Sequence, residues 1–529
     1  MAYNIRIIEE LSRRAIKRHN IKAIENTEDG SRTLFYFDGK IYRQQAETIG
    51  RLIALEESRV YKEWKDGTEK TALHESIGYM VERPNDEKKA VDESYQRRVL
   101  GGEFMPLFMG VGEQTAAYKV AIPLAPAAKM GERTAGLLCL SDGLLRITAD
   151  KVELLPHNPK PFFTSYLDIA YGVSKTYYNT ELLEYENFVY AWANQNKQVE
   201  RLIKQMLGAI IQQDAGSGKV FVITNEQGGN GKSTYTNSII SFIGIDNTSA
   251  ISLQAMAKDS HQAAALVGKF CNVVDDMQGD YVGDVSILKT MVTGGYTVIN
   301  PKHQKPYSAR ITATCIINCN KIPRIGDTSG GLADRMCVVP FLARFRDTAD
   351  DIKDREMNVF FAKPQTRRAM LEIAIQGLQD VMQNGYVIPD IVKEVTEKYL
   401  RENTLEIDSV LAFIEDVEEC SDKGMAEWSN HDVRMVYARY SKWCDDNNRK
   451  AKANNVFSKD FLLYRKQFYE VKPYRRKVAN QRWCDASKKY VTEEITMRGK
   501  EFIAHTSAPL PIDTVSPQQL KISENRMAK

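Results

Sequence analysis

Apolar residues recur at helical spacing from the start of the chain. Ile7, Ile8, Leu11, Ala15 and Ile16 fall on one face of residues 5–18 with Arg13, Arg14, Lys17 and Arg18 opposite, which predicts an amphipathic helix. Residues 34–37 and 40–42, split by Asp38-Gly39, predict a β-hairpin, and a helix follows from about 44 to 63. The charged, weakly patterned stretch 65–95 reads as a linker or insertion. A second β region spans 135–147 with its turn at Asp142-Gly143, closed by the rigid run LPHNP at 155–159. His157 there has no neighbouring His or Cys and is expected to be structural. From 180 to 213, Phe188, Trp192, Val199, Leu202, Ile203, Met206, Leu207 and Ile210 keep helical spacing, the stripe of a core-facing helical region.

Short apolar runs then take over. Val220 to Thr224 (VFVIT) predicts a buried strand, and further strands are expected at 270–274, 309–318 and 336–341. The run VFVIT enters a glycine-rich turn, NEQGGNGKST, before the helical pattern of Ile239, Ile240 and Phe242. Glycines 228, 229 and 231 lack Cβ atoms, so backbone N–H groups can turn inward around a phosphate at the positive end of the helix. Gly228, Gly229, Asn230, Gly231, Lys232, Ser233 and Thr234 form the predicted nucleotide cradle. In it Lys232 reaches the β/γ-phosphates and Ser233 offers a hydroxyl to Mg²⁺. Glu226 stands where the usual pattern has its first glycine. An earlier run, DAGSGK at 214–219, imitates such a loop but precedes the strand and lacks a Ser/Thr after its lysine, so it reads as a turn.

The other strand ends add chemistry. The run FCNVVDD (270–276) delivers two acids, Asp275 to hold Mg²⁺ and Asp276 to orient or deprotonate the attacking water, although paired acids also suit a solvated turn. The strand at 309–318 delivers Asn320, expected to place the lytic water or sense the γ-phosphate, with Asn318 as competitor. Arg335, entering the next apolar run, suits either an arginine finger or a structural salt bridge. Between these, Gly294-Gly295 breaks a short helix, and the following hairpin carries Lys302, His303 and Lys305 in a basic tip between prolines. That tip suits phosphates, or is simply an exposed turn.

Composition sets bounds. The 529 residues suit about three to four domains. With 43% hydrophobic and 27% charged residues, a globular protein is expected. A net charge of +3 means that any nucleic-acid surface must come from local clustering. The 8 cysteines contain no C-x-x-C pair, and the spacing of Cys315 and Cys319 falls within a buried strand, so free thiols rather than zinc ligands are expected. No apolar run suits a bilayer span and the N-terminus lacks a signal-peptide core, which gives the expectation of a cytoplasmic protein without membrane partners.

Five stretches in order, GGNGKST (228–234), LVGKFCNVVDD (266–276), LKTMVTGGYTVINPKHQKPY (288–307), IINCNKIP (316–323) and GLADRMCVVPF (331–341), resemble superfamily 3 helicases of the AAA+ class, in the poxvirus-type and phage/plasmid primase–helicase group. Segments 137–167 and 375–392 are similar to those that flank the ATPase in this family. The resemblance implies an α/β P-loop AAA+ ATPase core with an α+β N-terminal domain and a C-terminal winged-helix-like domain. Carried onto this chain, it makes Lys232 and Ser233 the Walker A pair and Asp275 and Asp276 the Walker B acids. Lys302, His303 and Lys305 fall on the DNA-translocating hairpin, Asn320 on sensor 1, and Arg335 on the arginine acting across a subunit interface. No priming domain is evident.

The expected boundaries are 1–110 (N-terminal α+β), 111–190 (pre-helicase), 191–400 (helicase), 401–500 (winged-helix-like and basic) and 501–529 (tail). In the fourth segment, residues 440–500 hold 16 Lys/Arg against 7 Asp/Glu with interleaved aromatics, which fits duplex or origin contact as well as a solvated surface. The expected activity is ATP- and Mg²⁺-dependent unwinding of forked DNA by a ring, a hexamer, translocating on single-stranded DNA. A separate primase or polymerase would be a further partner. The competing expectation is an ATP-gated origin-binding initiator or loader.

Overall fold

The computed structural model describes residues 5–81, 110–130, 136–212, 216–225, 228–258, 260–275, 281–302, 304–326, 331–345, 354–421, 428, 431–465, 469–484 and 489–504. The chain divides into two compact units, residues 1–400 and 401–529.

The first helix forms over Ile5–Arg18 and buries Ile8, Leu11 and Ala15, the stripe its spacing predicts. It packs with helices Ala46–Lys65 and Val111–Leu124 around Ile49, Ile53, Ala117 and Ala121. Strands β1 (Lys22–Glu25), β2 (Arg32–Phe37), β3 (Tyr42–Arg43) and β4 (Ala127–Ala128) form a sheet in the order β3-β2-β1-β4. Part of the stretch expected as a linker is a helix, Ala72–Val81. Leu73 and Ile77 in it join the core. Strands β5 (Leu137–Cys139), β6 (Leu144–Ile147) and β7 (Val152–Leu155) make an antiparallel sheet. The third strand was not expected; it is half-buried along its whole length and so shows no alternation.

Seven more strands follow: β8 (Val220–Thr224), β9 (Thr248–Ser249), β10 (Cys271–Val274), β11 (Tyr296–Ile299), β12 (Tyr307–Arg310), β13 (Thr314–Cys319) and β14 (Met336–Pro340). Five of them form a parallel sheet in the order β14-β8-β13-β10-β9. Alternate residues serve opposite faces. Phe221, Ile223, Ile316, Cys337 and Val339 pack with Tyr235, Ile239 and Phe242 of helix Lys232–Ile243 and with helices Lys197–Ile211 and Pro364–Asn384. Val220, Val222, Cys315, Ile317 and Val338 pack against Leu288, Met291 and Val292 of helix Ser286–Thr293 and, further out, Phe35 and Phe162. A sheet covered on both faces needs the continuous apolar runs seen in the sequence.

The apolar stripe at 180–213 is two helices, Asn179–Trp192 and Lys197–Ile211. The chain turns between them at Asn194 and Gln195, both with positive φ, and the Asn196 side chain caps the second helix through the amides of Gln198 and Val199. That helix meets Pro364–Asn384 backbone to backbone: a Cβ on Gly377 would lie 1.8 Å from the Lys204 carbonyl oxygen.

In the second unit, helices Ser409–Glu419, Val433–Asp446 and Asn454–Arg465 close around Phe413, Trp428, Tyr440, Phe457 and Phe461. They precede a long ribbon, β15 (Tyr469–Cys484) and β16 (Lys489–Ala504), each 16 residues. One unbroken antiparallel register joins them from Tyr469↔Ala504 to Cys484↔Lys489, so the ribbon runs beyond the expected boundary at 500. Polar sequence hid its length, because backbone pairing rather than alternating apolar residues defines it. Part of the basic excess is spent internally: Lys452 bonds Asp408 and Asp460 at 3.1 and 2.8 Å, and Arg465 pairs with Glu418 at 2.6 Å. Among the described residues no helix is long and apolar enough to cross a membrane.

Candidate nucleotide site and basic hairpin

The strand β8 ends at Thr224 and the next helix starts at Lys232, with Gly231 at its N-cap in the left-handed region (φ 78°) and Gly229 likewise (φ 77°). A side chain at Gly231 would also strike the Trp192 ring at 2.8 Å. Conformation and space both demand glycine here. The loop is tied to its surroundings: the Phe345 amide donates to the Gly229 carbonyl at 2.8 Å, and the Asn225 side-chain amide donates to the Phe341 carbonyl. Lys232 is buried, 6% exposed, and its Nζ donates to the Asn225 carbonyl and the Asn230 Oδ1, both at 3.1 Å. Ser233 is exposed at the mouth and Thr234 half-buried. Glu226 lies outside the described residues.

Three neighbouring parallel strands bring their carboxyl ends to this loop. β13 lies beside β8 with Asn318 opposite Ile223, and β10 lies on its other side with Val274 opposite Ile317, so Asp275 emerges next to Asn318. The Asn318 amide donates to Asp275 Oδ1 and lies 3.4 Å from Ser233 Oγ, while the residue is only 3% exposed. A hydroxyl and a carboxylate are thus drawn to one point. That all-oxygen donor pair fits Mg²⁺, a hard ion that keeps most of its waters. Asn320 is exposed one residue past the end of β13. The structure therefore brings Asn318, not Asn320, against the loop serine and the acid. Asp276 lies outside the described residues.

Arg335 sits at the opposite edge of the sheet. It ends a short turn before β14, whose first residue, Met336, pairs with Val220 at the start of β8. β8 has five residues, and at about 3.3 Å of rise per residue its ends are about 13 Å apart, which keeps Arg335 away from the phosphate loop of its own chain. The Arg335 guanidinium donates to the Gly331 carbonyl. Lys219, from the run that imitates a phosphate loop, donates to the Asp334 carbonyl at 2.8 Å and pins this segment. Burial, and after it the charge of Arg335, lowers the Lys219 pKa. The sequence dismissed Lys219; its position at a strand start was the available signal.

The hairpin β11–β12 forms where expected, with Lys302 exposed at its tip; His303 lies outside the described residues. Lys305 is engaged: its Nζ pairs with Asp29 of the β1–β2 turn. The same turn clasps the hairpin through the Thr27 amide and hydroxyl, both donating to the Pro306 carbonyl at 2.8 and 3.2 Å. Asn26 bridges to Tyr307 beside it. The hydrogen bond from Lys305, ahead of those from Ser31, holds the Asp29 pKa down at about 2.

The cysteines carry no metal geometry among the described residues: Cys139, Cys271, Cys315, Cys319, Cys337 and Cys444 are buried and only Cys420 is exposed. Burial pushes the thiols of Cys139, Cys315 and Cys337 up to about 12. Glu63, Glu69 and His74 converge, but Arg14 lies 2.5 Å from Glu63 and 3.6 Å from Glu69, so the group is an ion-pair network.

Residues 223–335 match a family of unknown function, DUF5906. Among solved structures the chain is similar to the apo NrS-1 C-terminal region, at 11% identity over 92% of this chain and 98% of that one, with a TM-score of 0.39. An A-form apo structure of the same region covers 88% and 97% at 11% identity, with a TM-score of 0.40. JCV helicase bound to a substituted acetamide covers 46% and 65% at 12% identity, with a TM-score of 0.26.

Proposed function

We propose that this chain is an ATP-hydrolysing DNA helicase of the superfamily 3 kind, working as a ring, a hexamer, in replication of a phage, plasmid or mobile element. The observation that supports it is the meeting of Ser233 and Asp275 at one buried amide, that of Asn318, at the carboxyl ends of adjacent parallel strands and beside the loop that ends in Lys232. Ligands of open α/β sheets bind at that edge.

ATP enters with its phosphates against the loop amides and the helix N-terminus. Lys232 exchanges its contacts to Asn225 and Asn230 for phosphate oxygens. Ser233 and Asp275 would hold Mg²⁺, which supplies charge neutralisation on the phosphates. Asn318 keeps the two aligned, and Asp276 is assigned the attacking water. Arg335, set at the far edge of the sheet, serves the nucleotide of a neighbouring copy, which makes the ring part of the chemistry. Lys302, His303 and Lys305 contact the phosphates of single-stranded DNA as the hairpin moves.

Strand displacement on a forked duplex without origin sequence tests this. Lys232→Ala abolishes hydrolysis and unwinding, while Lys302→Ala/Lys305→Ala keeps hydrolysis and loses unwinding. Normal unwinding by that double variant removes the hairpin from the mechanism. The clasp of Asp29 on Lys305 favours a second reading, an ATP-gated origin-binding initiator whose hairpin is released only on command. Activity confined to origin-containing DNA would select it.

A further inference from the structure

We propose that the base of the hairpin is a separate stacking contact for single-stranded DNA, built from Tyr296, Arg310 and Lys129; it rests on the reading of the hairpin as the DNA-contacting element. Tyr296 and Arg310 are direct cross-strand partners, and Val298 faces Ser308 one step further along. Side chains alternate across the ribbon, so these four share the outward face while Ile299 and Ala309 are buried beneath. Tyr296 is 43% exposed and Val298 59% exposed, two apolar side chains in succession facing solvent.

The charges around that ring point to its ligand. The Arg310 guanidinium carbon lies 4.4 Å from the centre of the Tyr296 ring, and the Lys129 ammonium 6.0 Å from it. The Arg310 amide donates to the Met130 carbonyl at 3.3 Å, which fixes the strand beside Lys129. Arg310 Nε and Nη1 are shielded from water, with no hydrogen-bond acceptor among the described residues and no ion pair there. The guanidinium charge thus lies against the Tyr296 ring with no carboxylate among the described residues to neutralise it, which leaves positive potential for a phosphate. Among the described residues the patch offers Tyr296 and Val298 as its exposed apolar side chains, a footprint that suits one base against a ring with its phosphate between two cations. Periodicity could not reveal this contact, because Tyr296 and Arg310 are fourteen positions apart and meet only through the register of the hairpin.

The test is fluorescence anisotropy of a labelled oligothymidylate with the full chain, titrated at several salt concentrations. Tyr296→Leu is expected to weaken binding about 10-fold, and Tyr296→Phe to stay near wild type. Lys129→Gln, an exposed site, should lower the slope of log affinity against log salt by about 0.7. If the wild-type protein binds the oligonucleotide and Tyr296→Leu binds equally well, the platform is overturned and the hairpin reading stands. If the wild-type protein binds none, both fall.

Discussion

Asn318 is the sharpest place to test how the site is built. The residue is 3% exposed and its amide joins Asp275 to Ser233, the latter at 3.4 Å. Replacing it with alanine removes one hydrogen bond to a carboxylate, about 1.5–3 kcal/mol, and a long neutral bond of about 0.5 kcal/mol or less. About 2 kcal/mol expressed in the transition state corresponds to a roughly 30-fold loss of rate, in line with the ~10–100-fold typical of residues that orient metal ligands. Asn318→Ala should therefore lower the hydrolysis rate by about 10- to 100-fold and raise the Mg²⁺ concentration needed for half-maximal activity. Asn320→Ala, at an exposed position, should change both by less than about 2-fold. Phosphate release measured across a Mg²⁺ titration reads both effects, and urea unfolding of each variant separates loss of function from loss of fold. Wild-type behaviour of Asn318→Ala together with an inactive Asn320→Ala would return the role to the strand tip.

Three further outcomes follow from the packing and the charges. Gly377→Ala places a methyl group 1.8 Å from the Lys204 carbonyl oxygen, so it should cost about 3 kcal/mol in urea unfolding; unchanged stability would contradict the close helix crossing. The Asp29 pKa is depressed from 3.8 to about 2, so its pairing with Lys305 is complete above about pH 4 and is lost only as pH falls toward 2. Hydrogen exchange of the hairpin should therefore show no titration of the clasp between pH 5 and 8, whereas Asp29→Asn should speed exchange at Thr27, whose amide donates to Pro306. Iodoacetamide at pH 8 should label Cys420 rapidly in the native protein and the six buried thiols only after denaturation; quick labelling of Cys315 or Cys337 would place those strands elsewhere.

Features written within a few residues of one another were legible in the chain before folding. The strand β8, the turn and the following helix were legible because apolar runs, glycines and a helix start are local signals. The first helix was legible because one amphipathic stripe suffices to specify it. The break at Asn194 and Gln195 was not, since the apolar spacing continues across it and only backbone conformation reveals the turn. The strand order, by contrast, came from the tertiary structure alone. It set β13 between β8 and β10, which gave Asn318 rather than Asn320 the contact with Ser233 and Asp275. It also put Arg335 at the sheet edge away from its own Lys232. The Asp29–Lys305 clasp joins residues far apart in the chain, and no local pattern marks either as the other's partner. Local backbone preferences can be read from neighbours, but charge pairing and site assembly depend on which distant strands the buried core brings together.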